Sequence, residues 1–284
     1  MRVLETVEAV RAAVKNAKLK EQEVGLVPTM GFLHDGHLSL MKRARIENEL
    51  VVVSIFVNPT QFGPNEDLES YPRDLTADLA KCESVGVDIV FTPSVSEMYP
   101  TGYSTYVNAE GNITRTLCGA SREGHFKGVT SVVTKLFHIV APTRAYFGQK
   151  DAQQVAVIQK MVRDLNFDLE IVPCAIVREA DGLAMSSRNT YLSESQRKEA
   201  LVLSQSLKIA KQAIDLGVKE AVEVIESMKK HIATSPSAAV EYIQIVDAQS
   251  LEDLDVIQGE VLIAMAVRIG KTRLIDNMRF TLSQ

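Results

Sequence analysis

The chain has 284 residues, of which 46% are hydrophobic and 24% charged, and its formal net charge is −5. This length supports one large domain or two smaller ones, and the composition is that of an ordinary globular protein. The acidic balance offers no basic surface for nucleic acid, and the longest apolar runs fall far short of the roughly 20 residues of a membrane span.

The cysteines and the N-terminal residues predict a cytoplasmic protein. Cys82, Cys118 and Cys174 are far apart in the sequence. This spacing favours reduced thiols over a disulfide framework or a zinc site. The first ten residues carry charge every few positions and lack the apolar segment of a signal peptide.

The pattern of apolar residues predicts alternating helices and strands over residues 1–175. Helical spacing covers residues 7–20, 37–49, 75–85, 128–142 and 152–165, and short apolar runs predict strands at 24–30, 50–57, 87–93, 145–151 and 169–177. This alternation is typical of an α/β, doubly wound, Rossmann-like parallel sheet. In such sheets the ligand binds beyond the carboxyl ends of the strands.

The pattern changes near residue 176, where we place the boundary between a first domain, residues 1–175, and a smaller α+β domain, residues 176–284. Residues 193–217 fit one long helix that opens with a capping box of Ser193 and Gln196 and ends at Gly217. A second helix follows. Residues 240–248, 261–270 and 272–280 then fit antiparallel strands.

Glycines and polar residues follow the predicted strands, where a ligand would bind. They are Thr29, Met30, Gly31, His34, Gly36 and His37 after the first strand, Asn58 and Gln61 after the second, Gly148, Gln149, Lys150, Asp151, Gln153 and Gln154 after the fourth, and residues 181–188 after the fifth. This set is rich in cations and amides and poor in carboxylates, which suits an anionic ligand.

The stretch His34-Asp35-Gly36-His37 is the most informative part of this set. His37 is predicted to open the next helix, whose N-terminal N–H groups and dipole attract anions. Gly36 has no Cβ, so a phosphate can approach the backbone, and both imidazoles can donate hydrogen bonds to phosphate oxygens. A metal pair and a helix cap with incidental histidines are the alternatives, although no third metal ligand is evident.

The other candidates are weaker when each is taken alone. Lys150 and Arg188 supply positive charge, but most such residues are solvated surface groups. Ser186 and Ser187 could simply cap a turn. Gln61 and Gln154 can make several hydrogen bonds to hydroxyls and a carboxylate, and ordinary surface positions are the alternative. No G-x-G-x-x-G follows the first strand, so a dinucleotide site has little support.

Taken together, these stretches resemble the pantothenate synthetase family, the pantoate–β-alanine ligases. The matching stretches are "VPTMGFLHDGH", "VVVSIFVNPTQF", "EDLESYPR", "GHFKGV", "YFGQKD", "DGLAMSSRNTYL" and "RLIDN", spread over residues 24–277. This family belongs to the nucleotidyltransferase superfamily of class I aminoacyl-tRNA synthetases. Within it, "HDGH" and "MSSR" resemble the HIGH and KMSKS motifs, the two halves of an ATP clamp.

The resemblance implies ATP-dependent condensation of (R)-pantoate with β-alanine to give pantothenate, AMP and pyrophosphate. The pantoate carboxylate attacks the α-phosphorus of ATP, Mg²⁺ offsets charge on the leaving pyrophosphate, and the β-alanine amine then attacks the pantoyl adenylate. No covalent enzyme intermediate is needed, so positioning and electrostatic stabilisation carry both steps. The resemblance also implies a first domain that binds nucleotide and pantoate, a second domain that closes over the active site, and a homodimer.

Two other functions compete with this one. A nucleotidyltransferase of the same superfamily that acts on a phosphate-bearing substrate would require further Lys or Arg where this chain has Gln61 and Gln154. A non-catalytic nucleotide sensor would bind ATP without turnover, and it would leave both glutamines unexplained.

The resemblance further implies a role for each site residue. His34 and His37 contact the nucleotide phosphates, with His37 as proton donor, and Lys150 stabilises the α-phosphate. The other residues of the ATP site are Met30, Gly31, Gly36, Gly148, Gln149, Asp151 at the ribose, Val177 near adenine, and Met185, Ser186, Ser187 and Arg188 over the phosphates. Gln61 and Gln154 bind pantoate, and Gln61 also lies near β-alanine. Asp78 helps to hold Mg²⁺. His125 and Lys127 are typical of the family and receive no role.

Overall fold

The computed structural model describes residues 1–64 and 66–282, which form two compact units. Unit 1 comprises Met1–Ala109, Arg122–Gln149 and Gln154–Ala175. Unit 2 comprises Glu110–Ser121, Lys150–Gln153 and the described part of Ile176–Gln284. The main division falls after Ala175, and the two short segments at 110–121 and 150–153 pack with the C-terminal residues.

Unit 1 contains a six-stranded parallel sheet in the order β1-β4-β3-β2-β5-β6. The strands are β1 (Arg2–Leu4), β2 (Val24–Thr29), β3 (Leu50–Ile55), β4 (Ile89–Phe91), β5 (Arg144–Gly148) and β6 (Glu170–Cys174). The helices of this part of the chain are α1 (Val7–Lys18), α2 (Asp35–Glu47), α3 (Leu75–Ser84), α4 (Val95–Met98), α5 (Cys118–Ser121), α6 (His125–Val140) and α7 (Ala152–Asp164), with α5 in unit 2. The predicted Rossmann-like α/β fold is confirmed.

The register of the two central strands determines where the site begins. β2 and β3 pair from Val24 with Leu50 to Thr29 with Ile55, so both strands end at the same level. Four residues of β3 are buried, three of them valines, as the largely β-branched and apolar sequence of this strand predicts for a strand covered on both faces. The polar residues that follow each of these strands therefore emerge at one edge of the sheet.

Unit 2 has a three-stranded antiparallel sheet in the order β7-β8-β9. Its strands are β7 (Ala238–Asp247), β8 (Glu260–Ile269) and β9 (Thr272–Thr281), and its other helices are α8 (Glu194–Glu199), α9 (Val202–Asp215) and α10 (Ala221–Ile232). The predicted α+β character is confirmed. In the described part of the chain, no helix is both long enough and apolar enough to cross a bilayer.

The prediction of one long helix over residues 193–217 is wrong, although its capping box is present. Ser193 Oγ accepts from the N–H of Gln196, whose side chain accepts from the N–H of Ser193. The helix is interrupted at residues 200–201, where the N–H of Leu201 donates to Lys198 and that of Leu203 to Ala200. These i to i+3 bonds tighten the chain and separate α8 from α9.

Candidate active site

The loop after β2 has a strained backbone that a buried carboxylate holds in place. Gly31 has φ +81° and Phe32 has φ +50°, both in the left-handed region. The N–H groups of Phe32 and Leu33 each donate to one carboxylate oxygen of Asp78 at 2.7 Å. A Cβ on residue 31 would lie 2.9 Å from the same carboxylate, so glycine is required here. Asp78 thus fixes the backbone directly before His34.

These contacts do not fit the metal-binding role predicted for Asp78. Its side chain is 2% exposed, and both of its oxygens already accept from backbone N–H groups. Within residues 1–64 and 66–282, no three His, Cys, Asp or Glu side chains come together as a metal site. Mg²⁺ also prefers octahedral oxygen coordination, which this enclosed carboxylate does not provide. We therefore assign Asp78 to the support of the loop.

His34 and His37 lie at the N-terminus of α2, but His34 rather than His37 caps the helix. The prediction that His37 opens the helix is wrong, because the helix begins at Asp35. His34 has an extended backbone, and its Nδ1 accepts from the N–H of Gly36 at 3.2 Å. In return, the N–H of His34 donates to Nδ1 of His37 at 3.3 Å. This is a capping box in which both side chains are imidazoles.

The capping box determines which nitrogen of each ring carries the proton. A nitrogen that accepts a hydrogen bond is unprotonated, so a neutral imidazole that accepts at Nδ1 has its hydrogen on Nε2. The two ring centroids lie 4.1 Å apart, and both rings are half-buried. His34 and His37 thus bring two Nε2–H donors to a helix N-terminus, an arrangement suited to an anion.

The loop after β3 carries Asn58 and Gln61, whose side-chain amides have fixed orientations. Asn58 is 1% exposed, and its Nδ2 donates to the carbonyl of Gly128 at 3.2 Å and to Oε1 of Gln61 at 3.1 Å. Gln61 Nε2 lies 3.3 Å from the sulfur of Met30, in the loop after β2. The Gln61 amide therefore has its oxygen toward Asn58 and its N–H groups on the side of Met30.

Tyr99 sets the orientation of Asn58. Its hydroxyl donates to Asn58 Oδ1 at 2.7 Å. Burial raises the pKa of Tyr99 to about 12, so this hydroxyl keeps its proton near neutral pH and remains a donor. Asn58 follows a strand in the sequence, but only these contacts reveal its influence on Gln61.

In unit 2, two successive residues of β9 hold the segments that contain Lys150 and Val177. Asn277 Nδ2 donates to the carbonyl of Lys150 at 2.8 Å. The buried carboxylate of Asp276 accepts two hydrogen bonds from Arg178, at 2.7 and 2.9 Å. A bidentate guanidinium–carboxylate pair of this kind is strong and directional. The closing "RLIDN" stretch therefore supports two predicted parts of the nucleotide site.

A short hairpin carries the predicted Met185–Arg188 segment. The backbones of Arg178 and Ala184 form an isolated antiparallel β-bridge, and the N–H of Met185 donates to the carbonyl of Val177 at 3.0 Å. Ser186 then caps a 3-10 turn, Ser187–Tyr191, by accepting from the N–H of Arg188. Capping was the alternative to a functional role for Ser186, and the structure contains that cap.

The predicted residues divide between the two units. Unit 1 holds Met30, Gly31, His34, Gly36, His37, Gln61, Asp78, Gly148, Gln149 and Gln154, and unit 2 holds Lys150, Asp151, Val177, Met185, Ser186, Ser187 and Arg188.

Gln154 is half-buried on the first turn of α7. The neighbouring Gln153 has a structural task, since its side chain bonds to Ile113, Thr116 and Cys118. Lys127 lies over the ring of Tyr106.

The chain is similar to known proteins over nearly its whole length. A family model described as pantoate-beta-alanine ligase matches residues 2–279. A pantothenate synthetase of Acetivibrio thermocellus is 58% identical over 278 residues, which are 98% of this chain and 99% of the relative.

Solved structures agree with this match. The crystal structure of pantothenate synthetase from Thermus thermophilus has a TM-score of 0.94 at 46% identity, covering 98% of this chain and 99% of that one. The pantoate-beta-alanine ligase from Francisella tularensis, complexed with beta-gamma ATP and beta-alanine, has a TM-score of 0.80 at 36% identity. That match covers 98% of this chain and 97% of the other.

Proposed function

The chain belongs to the pantoate–β-alanine ligase family, and we propose that the residues described in both units carry out its reaction. The chain is an enzyme that forms pantothenate from pantoate and β-alanine with consumption of ATP. The observation that carries the proposed site is the capping box of His34 and His37. It supports phosphate binding because it brings two imidazole donors to one helix N-terminus.

In the first step, an oxygen of the pantoate carboxylate attacks the α-phosphorus of ATP, and the bond to pyrophosphate breaks. We propose that His34 and His37 donate hydrogen bonds from Nε2 to phosphate oxygens, and that the proton-donor role implied for His37 is this hydrogen bond, with no proton transferred. Lys150 adds a positive charge at the α-phosphate. Donors that are already in place cost no reorganisation as charge develops, so this arrangement favours the transition state.

In the second step, the β-alanine amine attacks the pantoyl carbonyl carbon, and AMP leaves with the oxygen that came from the carboxylate. The proton that the amine loses as the amide forms passes to solvent. The fixed amide of Gln61 is suited to a hydroxyl or carboxylate of pantoate, and Gln154 is proposed as its companion. Neither step needs a covalent bond to the protein.

Other residues of the chain are proposed to contact the rest of ATP, and the metal is proposed to arrive with it. Asp151 at the ribose, Val177 at adenine, and Met185, Ser186, Ser187 and Arg188 at the phosphates bind ATP. Gly31, Gly36, Gly148 and Gln149 provide backbone close to it. Because Asp78 does not fit as a ligand, we propose that Mg²⁺ enters with the phosphates of ATP, as part of the nucleotide substrate. The homodimer stays an expectation from the resemblance, and the cytoplasmic location stays a prediction from the sequence.

Leaving out each substrate in turn tests this reaction order. With ATP and pantoate alone, we expect pyrophosphate release of about one equivalent per active site, because the adenylate forms and waits for the amine. Pantothenate and AMP should accumulate over many turnovers only when β-alanine is also present. The measurement is quantification of pyrophosphate, AMP and pantothenate.

Two results would contradict the proposal. Pyrophosphate release that does not require pantoate would indicate another acceptor. ATP binding with no turnover under any combination of substrates would favour the nucleotide sensor.

A further inference from the structure

A chain of polar contacts in unit 1 ends on the backbone of Gln61. Arg122 Nε and Nη2 donate to the two carboxylate oxygens of Glu66 at 2.6 and 2.7 Å. Arg122 Nη1 lies 2.9 Å from Nε2 of His125, and His125 Nδ1 lies 2.8 Å from the carbonyl oxygen of Gln61. His125 is 8% exposed. The contacts link residues that are far apart in the sequence but belong to the same unit.

The chemistry of the partners fixes the donor and the acceptor in each of these hydrogen bonds. A carbonyl oxygen can only accept, so Nδ1 of His125 carries the hydrogen and donates it to Gln61. A guanidinium can only donate, so Nε2 of His125 accepts from Arg122. His125 is therefore held as one neutral tautomer, with Arg122 on one side and Gln61 on the other.

The Glu66–Arg122 ion pair fixes the guanidinium that donates to His125. Burial alone would raise the pKa of Glu66, but the hydrogen bonds and positive charge of Arg122 outweigh it, and the pKa lies below its ordinary value. Glu66 is therefore ionised near neutral pH. A bidentate pair between two partly buried side chains holds the guanidinium in a single orientation.

The backbone that receives the His125 bond has weak hydrogen bonds of its own. Gln61 belongs to the short 3-10 turn Pro59–Gln61, whose N–H···O contacts are 3.4 Å from Gln61 to Asn58 and 3.3 Å from Phe62 to Pro59. These bonds are long for N–H···O contacts, so contacts from outside the turn add to its stability.

The first turn of α6 supplies this support by close packing. A Cβ at Gly128 would lie 2.2 Å from the carbonyl oxygen of Thr60 and 2.6 Å from the nitrogen of Gln61. Only glycine permits this approach of the two backbones. Asn58 ties the side chain of Gln61 to Gly128 at the same place, while His125 ties its main chain.

We propose that His125, oriented by the Glu66–Arg122 pair, is a positioning residue that fixes the backbone of Gln61 and thereby the amide that binds pantoate. This inference rests on the proposed role of Gln61. It explains why "GHFKGV" accompanies "NPTQF" in this chain: His125 and Gly128 hold the turn from which Gln61 extends.

The test compares steady-state kinetics of variants in the full-length chain. We expect His125→Ala to raise the KM for pantoate about 5- to 50-fold, because the turn loses a buried hydrogen-bond donor, and to leave the KM for ATP within about twofold. His125→Asn should restore most of the loss, since its amide N–H can take the place of the Nδ1–H. His138→Ala, which changes an exposed histidine of the same helix, is the matched control.

The Gln61→Ala background separates this inference from the proposed function. If His125 acts through Gln61, His125→Ala should raise the KM for pantoate no further once the Gln61 side chain is absent. An equal rise in both backgrounds, or lower thermal stability with an unchanged KM for pantoate, would overturn the positioning role.

Two other results with these variants are also informative. If Gln61→Ala alone leaves the KM for pantoate unchanged, it is the proposed role of Gln61 that fails, and this inference fails with it. Should His125→Ala not fold, Arg122→Lys tests the same support of the Gln61 backbone, because lysine lacks the fork that contacts Glu66 and His125 and whose Nη2 also lies 3.4 Å from the Gln61 carbonyl oxygen. It should raise the KM for pantoate and spare the KM for ATP, and equal effects on both would overturn the inference.

Discussion

Replacing His37 with alanine is expected to lower the rate of pantoate-dependent pyrophosphate release by about 10²- to 10³-fold. This is the usual effect of removing one preorganised donor from a developing oxyanion. The effect should appear in kcat and in kcat/KM alike, because the donor acts mainly in the transition state. Single-turnover measurement of pyrophosphate gives the rate directly. His37→Gln should keep more activity than alanine, since its amide N–H can reach the position of Nε2–H.

His37 also accepts the N–H of His34, so its loss removes one helix-capping bond. Such a bond is worth about 0.5–2 kcal/mol of stability, and this loss must be separated from the chemistry. Thr6→Ala is the matched control, because it also removes one side-chain acceptor from a helix N-terminus, where Thr6 Oγ1 accepts from the N–H of Ala9 at 3.2 Å. A Thr6→Ala variant with normal activity, beside a His37→Ala variant of near-normal rate, would refute the role of His37.

Replacing Lys150 with methionine should have an effect of similar size. Its Nζ lies 3.9 Å from Asp151 Oδ2, and the Asp151 side chain is 48% exposed, so this pair offsets little of the positive charge. A fixed cation at the α-phosphate stabilises charge that develops as the phosphorus is attacked. We expect kcat to fall about 10²- to 10³-fold with a smaller change in the KM for ATP.

Lys160→Met is the control for this variant, because Lys160 lies on α7 and pairs with Asp164 near the surface. Lys150→Arg should recover part of the rate, since it keeps the charge but not the compact geometry of an ammonium. If Lys150→Met raised the KM for ATP and left kcat intact, Lys150 would contribute to ground-state binding only.

The alternation of strands and helices could be predicted from sequence because long apolar runs and helical spacing are local signals. β1 was not predicted, since it has three residues, is largely exposed and gains its strand character from pairing with β4. Short edge strands of this kind have almost no pattern of their own. The interruption between α8 and α9 also escaped prediction, because both sides of it continue the same helical spacing.

The first residue of α2 could not be predicted from the sequence for a different reason. Ser, Thr, Asp and Asn are the usual N-cap residues, so a histidine at position 34 gives no capping signal in the sequence. The structure assigns the cap to His34 because its Nδ1 accepts from Gly36. The sequence singled out the two histidines, but the capping box that sets their tautomers appears only when their backbone and side chains are seen together.

Support residues were the hardest to predict. The resemblance implied that Asp78 helps to hold Mg²⁺, whereas its oxygens hold the backbone of Phe32 and Leu33. His125 received no role because it contacts the carbonyl of Gln61, 64 residues away in the sequence, and because the neighbouring Arg122 is oriented by Glu66, 56 residues from Arg122. Contacts at such separations depend on the packing of the fold and have no local pattern.

The proposed first step is the attack of the pantoate carboxylate on the α-phosphorus of ATP. The most direct measurement uses pantoate labelled with ¹⁸O in its carboxylate, with ATP and β-alanine, and mass spectrometry of the products. We expect one ¹⁸O in the phosphate of AMP and one retained in the amide of pantothenate. Unlabelled AMP, or ¹⁸O recovered in inorganic phosphate or pyrophosphate, would contradict it.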